Sequence, residues 1–282
     1  MIRAAYLVYG VVCYLLFLAV YTWMAGFFAN VEAVGRTLDG PALMPAPWAL
    51  AIDAGLVLLF ALQHSVMARP AFKQVWTQFI PEPIERSTYV LFSCVALGAL
   101  MFFWQPLGGV VWDLPQGPAR WLAWTFFAIG WFMVPAVSHM LNHYDLFGLR
   151  QVWLHWQEQA YTSLPFETPY LYNAMRHPLY VGWTIAFWAT PTMTLSHLVL
   201  ASLLTGYMLM AVYFEERDLV AHFGEKYEDY RRRVPMFVPN VFPGSVASPA
   251  TGEAIAGNTE RASDNITPVD PLVAEDESVF AS

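Results

Sequence analysis

The sequence predicts an all-α integral membrane protein: five to six transmembrane helices including a C-terminal helical hairpin, then a cytosolic helical segment, with no Rossmann sheet. Three observations carry that prediction. Of 282 residues, 57% are hydrophobic, 16% aromatic and 13% charged, with a mean hydropathy of +0.42, whereas soluble domains run at about 45–50% apolar and about 25% charged. Apolar runs of about 20 residues, the length that crosses a bilayer core, recur along the chain. No GxGxxG or GxxxxGK[ST] loop follows any of them. So apolar a composition also excludes a disordered or nucleic-acid-binding protein.

Four runs span without strain: Ala4 to Phe28, Trp48 to Met67, Thr88 to Trp104 and Ala119 to Leu141. The first is too long for a signal peptide and lacks a small-residue cleavage site, so it is kept as a span. Two further runs, Tyr180 to Met193 and Ser196 to Phe214, read as a tight helical hairpin whose first arm is short and holds Pro191. Cys13 and Cys94 lie inside apolar runs and cannot build a Cys-based zinc site. From Gly244 onward seven acids face one base, Arg261, so this tail carries −6 of the net −8. It lacks apolar periodicity and is expected to be disordered. The domain reading is residues 1–175 for the first four spans and their linker, 176–240 for the hairpin and C-terminal segment, and 241–282 for the acidic tail.

Orientation follows from Lys and Arg between spans. With the N-terminus inside, twelve of the fourteen Lys and Arg fall on the cytosolic side, and only Arg36 and Arg120 fall outside. Both termini are therefore expected in the cytosol.

Ionisable groups at membrane depth are costly, so each is a functional candidate. Four clusters converge on the cytosolic ends of spans: Gln63-His64-Ser65 with Arg69; Glu85-Arg86; His139, Asn142, His143, Tyr144 and Asp145; and Arg176-His177-Pro178, answered by Glu215-Glu216-Arg217. His139 and His143 share a helix face, the spacing of a metal or haem ligand pair. No further Cys or His cluster completes a ligand shell, and no metal site is expected. His155 and His197 read as ordinary polar-face residues.

Arg176-His177-Pro178-Leu179-Tyr180-Val181-Gly182 is similar to the RHPxYxG motif of integral-membrane methyltransferases such as the isoprenylcysteine carboxyl methyltransferases. The likeness continues through Glu215-Glu216, Leu219, Phe223-Gly224, Tyr227, Tyr230, Val234-Pro235 and Pro239. Gln63 to Arg69, Glu85 to Ser87 and Asn142 to Gln151 look like signatures of the methanethiol S-methyltransferases, related to the NnrU-like membrane proteins. The resemblance spans about residues 1 to 240 and leaves out the tail.

That resemblance implies methylation of methanethiol, a small volatile thiol, to dimethyl sulfide by S-adenosyl-L-methionine at the cytosolic face of the lipid bilayer. It implies a cofactor held between the hairpin and the C-terminal segment by Arg176, His177, Pro178, Tyr180, Gly182, Glu215 and Glu216. For thiol activation, His143 oriented by Asp145 is the first candidate base and His64 the second, with Arg86 as the cation beside the thiolate. The alternatives are a methyltransferase of the same fold with a lipid-like or prenylcysteine acceptor, and a non-enzymatic NnrU-like or haem-binding membrane protein.

Overall fold

A computed structural model describes residues 1–162, 164 and 167–239, so the tail expected from residue 241 onward lies outside the described residues. In chain order the helices are α1 (Ile2–Phe28), α2 (Ala46–Ala68), the short α3 (Pro70–Trp76), α4 (Glu82–Phe103), α5 (Pro118–Leu141), α6 (His143–Leu146), α7 (Leu149–Trp156), α8 (Pro178–Trp188), α9 (Leu195–Phe223) and α10 (Glu225–Arg233). Strands β1 (Val110–Asp113) and β2 (Thr192–Thr194) form the two-stranded antiparallel sheet. The protein is an all-α membrane protein in which α1, α2, α4, α5 and α9, of 27, 23, 22, 24 and 29 residues, are long and apolar enough to span. At 1.5 Å per residue each exceeds the ~30 Å hydrocarbon core.

Helix starts follow local chemistry. Pro47, Pro83, Pro118 and Pro178 sit in the first turns of α2, α4, α5 and α8, where a missing N–H deprives no carbonyl and the fixed φ suits the helix. This is why α4 begins at Glu82 and not at Thr88. At the other end of the chain, α9 continues past Phe214 to Phe223, so Glu215 and Glu216 are helical residues.

The hairpin differs from the sequence expectation in its first arm. Helix α8 stops at Trp188, and the chain runs extended into β2. Pro191 cannot donate to a helix, and the β-branched Thr190, Thr192 and Thr194 favour extension. The freed backbone is satisfied by β1 and by Leu114, whose N–H donates to the Pro191 carbonyl at 2.9 Å. Since β1 joins the end of α4 to the start of α5, the turn between α8 and α9 lies at that end of the bundle, and α9 returns to the opposite end.

The β end is closed by side chains that serve backbone. Asn30 and Asp39 exchange hydrogen bonds at 2.7 and 2.9 Å, and Thr194 donates to Asp39. Ser196 accepts from the Leu107 N–H at 2.8 Å, and Asp53 from the Gln105 N–H at 2.9 Å. His197 is not a polar-face residue: it is fully buried, and its Nε2 donates to the Phe187 carbonyl at 2.7 Å. His155 stacks on Tyr6 beside α1. Exposed Trp48 and Trp121 ring the β end, and exposed Tyr144, Trp153 and Trp156 ring the other, as aromatic side chains do at the two membrane interfaces.

Helices α5 and α8 touch backbone to backbone. A Cβ on Gly130 would stand 2.4 Å from the Ala186 nitrogen, and one on Gly182 3.3 Å from Met133 and Val134. In lipid such close approach is a main source of helix–helix affinity. Gly130→Val is expected to lower the thermal unfolding midpoint of detergent-solubilised protein, by at least the ~1–3 kcal/mol of an overpacked core. Gly206→Ala, with nothing within 4 Å of its added carbon, is the matched control and is expected to leave it nearly unchanged.

Candidate active site

The end opposite the sheet gathers most of the candidate residues into two clusters. The first joins α8, α9 and the chain after α10. Arg176 donates through Nε to Glu216 Oε1 at 2.7 Å, and His177 Nε2 lies 3.0 Å from the same oxygen. The Arg176 Nη1 donates to the carbonyls of Val234 at 2.6 Å and Arg231 at 3.0 Å. The backbone N–H groups of Arg176 and His177 donate to Pro235 and Met236 at 2.9 and 3.1 Å. These bonds latch the C-terminal segment onto the start of the hairpin. The Arg176 and Glu216 side chains are only 9% and 10% exposed, and breaking a buried pair of this kind costs about 3–5 kcal/mol.

Beside the latch, α9 and the C-terminal segment enclose a groove of about 300 Å³, with Val212, Tyr213, Glu216, Arg217, Arg231 and Phe237 among its walls. It combines a carboxylate, two guanidinium groups and aromatic faces, which together suit a zwitterionic ligand with an aromatic base. Pro178 opens α8 at its first position, and Gly182 serves the contact with α5.

The second cluster lies between α2, α4, α8 and α9. The Tyr180 phenol donates to Glu215 Oε2 at 2.8 Å and lies within electrostatic reach of Tyr207 and Tyr89. Tyr207 bonds Ser65 at 3.0 Å. Tyr89 reaches the His64 ring at 2.9 Å, and Ser93 reaches it at 3.2 Å. The Arg86 guanidinium stands 5.0 Å from the centre of the Tyr89 ring and donates through Nε to the Leu146 carbonyl at 2.9 Å. His64, Arg86, Tyr180 and Glu215 thus share one polar interior. Tyr89 and Tyr207 are its members that sequence reasoning missed; their signal was a phenol inside an apolar run, facing a helix that carries a candidate.

His143 and Asp145 do not pair. Asn142 takes a left-handed conformation, φ 94°, that ends α5 and opens α6. Two residues further along a helix is a turn of about 200°, so His143 points inward and Asp145 outward. Asp145 accepts from Arg150 at 3.0 Å and from Tyr161 at 3.3 Å. The Ser138 hydroxyl donates to the Pro135 carbonyl at 2.8 Å and so accepts from His143 Nδ1, also at 2.8 Å. His143 Nε2 then holds the lone pair and accepts the Tyr14 phenol at 2.8 Å. His139 stacks on His143 at 4.0 Å and 12°, so the ring nitrogens lie in parallel planes and do not converge on one ion. Among the described residues no group of three or more His, Cys, Asp or Glu is placed to hold a metal.

Burial, and then the neighbouring His139, push the His143 imidazole down from 6.5 to about 4. The folded protein therefore holds it neutral, while the unfolded chain protonates it below about 6.5. Stability from this group is complete above that pH and falls as pH drops from 6.5 towards 4, by at most about 1.4 kcal/mol per pH unit. Thermal midpoints measured from pH 7.5 to 4.5 are expected to decline across that window, with a shallower decline in His143→Gln.

No protein-family model and no solved structure matches the chain. Curated relatives do. A methanethiol S-methyltransferase of Crocosphaera subtropica is 49% identical over 237 residues, 84% of this chain and 92% of that protein. One from Mycobacterium tuberculosis is 46% identical over 233 residues, 83% of this chain and 95% of that protein. Nurim from Homo sapiens is 33% identical over 190 residues, 64% of this chain and 70% of that protein. With identity this high over nearly the whole length of such relatives, the chain belongs to the methanethiol S-methyltransferase family.

Proposed function

We propose that the protein methylates methanethiol to dimethyl sulfide with S-adenosyl-L-methionine, at the cytosolic face of a bacterial inner membrane. The observation that carries this reading is the Arg176–His177–Glu216 latch, which closes the C-terminal segment over a groove walled by a carboxylate, two arginines and aromatic rings. Residues 1–175 would build the acceptor side, and 176–240 the donor side. Eleven of the thirteen described Lys and Arg fall on the side where both clusters lie, which supports placing that side and both termini in the cytosol.

The groove suits the donor by the chemistry of its walls: Arg217 and Arg231 for a carboxylate, Glu216 for hydroxyl or ammonium donors, and Tyr213 and Phe237 for the purine. Tyr180, whose ring lies 5.6 Å from that of His177, and its partner Glu215 would meet the sulfonium through ring face and charge. When bound, S-adenosyl-L-methionine supplies the methyl group: a bond forms from thiolate sulfur to that carbon, the carbon–sulfonium bond breaks, and its electron pair stays on the sulfur that leaves as a neutral thioether.

The remaining work falls to the protein. A free thiol is mostly protonated at neutral pH, so Arg86 stabilises the developing thiolate and His64, held by Tyr89, takes the proton. Opposite charges annihilate in such a transfer, so rings that exclude water favour it. His64 is preferred to His143 in this reading because it shares the interior of Arg86, Tyr180 and Glu215; His143, held by Tyr14 and Ser138, orients α6 and, through Leu146, Arg86.

Headspace gas analysis of purified protein given both substrates tests the reading. Wild type is expected to form dimethyl sulfide. Arg86→Met is expected to lose about 100-fold or more at pH 7 and to recover partly at pH 9, where the thiol ionises unaided. Glu216→Gln is expected to weaken donor binding about tenfold or more by isothermal titration, because it strips the carboxylate from Arg176. A wild type that binds the donor and forms no dimethyl sulfide would overturn the acceptor.

A further inference from the structure

The seam between α1 and the α5/α8 pair holds a hydrogen-bond donor that nothing among the described residues uses. Trp131 is 6% exposed, and its Nε1–H has no acceptor. The rings around it are Tyr21 at 5.3 Å, Trp183 at 5.7 Å, Phe127 at 5.8 Å and Phe28 at 5.9 Å. The Tyr21 phenol is committed elsewhere. Pro135 deprives the Trp131 carbonyl of its helical partner, and Tyr21 donates to that carbonyl at 2.5 Å. An unmade hydrogen bond from a buried donor costs about 1–3 kcal/mol, so such a group calls for an explanation.

On both flanks the seam's residues are chain neighbours of the second cluster. Along α8, Trp183 lies one turn beyond Tyr180. Along α1, Phe17 lies beside Tyr21 at 5.9 Å and stacks on Phe147 at 3.9 Å. Phe147 follows Leu146, the residue whose carbonyl holds Arg86. One lone donor among aromatic rings suits a ligand that is small, polarisable and needs a single hydrogen bond. Sulfur meets that description, since it packs favourably against ring edges and accepts weakly. A carbonyl-rich or hydroxyl-rich headgroup would leave its other polar atoms unpartnered here.

We propose that this seam is the acceptor subsite: Trp131 Nε1–H donates to the thiol sulfur, while Phe17, Tyr21 and Trp183 enclose its methyl group and exclude longer chains. The substrate class rests on the methyl-transfer reading above; the unpartnered indole does not. Trp104 is the internal control. It too is buried with an unpartnered Nε1–H, but it lies at the β end of α4.

The test uses the full chain in nanodiscs with ¹⁵N-indole tryptophan. Loss of one resonance in Trp131→Phe, and of another in Trp104→Phe, assigns the two signals. Methanethiol added without donor is expected to move the Trp131 resonance downfield and leave that of Trp104 in place. In turnover, Trp131→Phe is expected to raise the methanethiol KM about tenfold, one hydrogen bond's worth, with the donor KM unchanged. Trp183→Leu is expected to admit propanethiol, and it keeps the proposal testable should Trp131→Phe fail to fold. A Trp131 resonance that stays put while the wild type makes dimethyl sulfide would overturn the subsite. A shift without any turnover would uphold the subsite and sink the methyl-transfer reading instead.

Discussion

One buried carboxylate oxygen organises the polar end of this protein. Glu216 Oε1 receives both Arg176 and His177, so one atom from the last span fixes the start of the hairpin. The same Arg176 then holds the Val234 and Arg231 carbonyls. Removing the carboxylate would leave a guanidinium buried without its counter-charge, a heavier penalty than losing an exposed ion pair of the same length. The groove exists because this arrangement holds the C-terminal segment against α9.

The membrane imposes a second constraint, that backbone polar groups find partners without water. Pro135 breaks the ladder of α5, and the chain answers with Tyr21 from α1. Where α8 gives out at Trp188, β1 supplies the missing bonds. Both repairs tie sequence-distant elements together, so each irregularity becomes a crosslink between the early and late parts of the bundle.

Length and hydropathy made the spans legible in the sequence, because a bilayer crossing leaves a signal of about 20 residues that a single substitution does not erase. The Arg176 to Glu216 side was legible through a motif whose spacing is fixed by contact: the Arg-His pair and the Glu meet directly. What the sequence hid were pairings set by rotation and distance in the chain. His143 and Asp145, two residues apart, turn to opposite sides, while His64 finds its partner in Tyr89 on another helix. His197 looked polar by type and is buried, because a carbonyl freed where α8 ends waits for its proton. The short first arm of the hairpin was visible through Pro191, but its strand partner, about 80 residues earlier, was not.

The hairpin's first arm is fastened at both ends, by β2 against β1 on one side and by the latch on the other. The segment after α10 is held more lightly, by two main-chain bonds from Arg176 and His177, by the Arg176 guanidinium on the Val234 carbonyl and by Phe237 beside the His177 ring. A net of about 1 kcal/mol per ordinary hydrogen bond makes peeling that segment away a modest thermal fluctuation, whereas moving α8 would dismantle a sheet and a helix pair together. Of the groove's two sides, the C-terminal strap is therefore the one that yields first, and the bundle is its fixed frame.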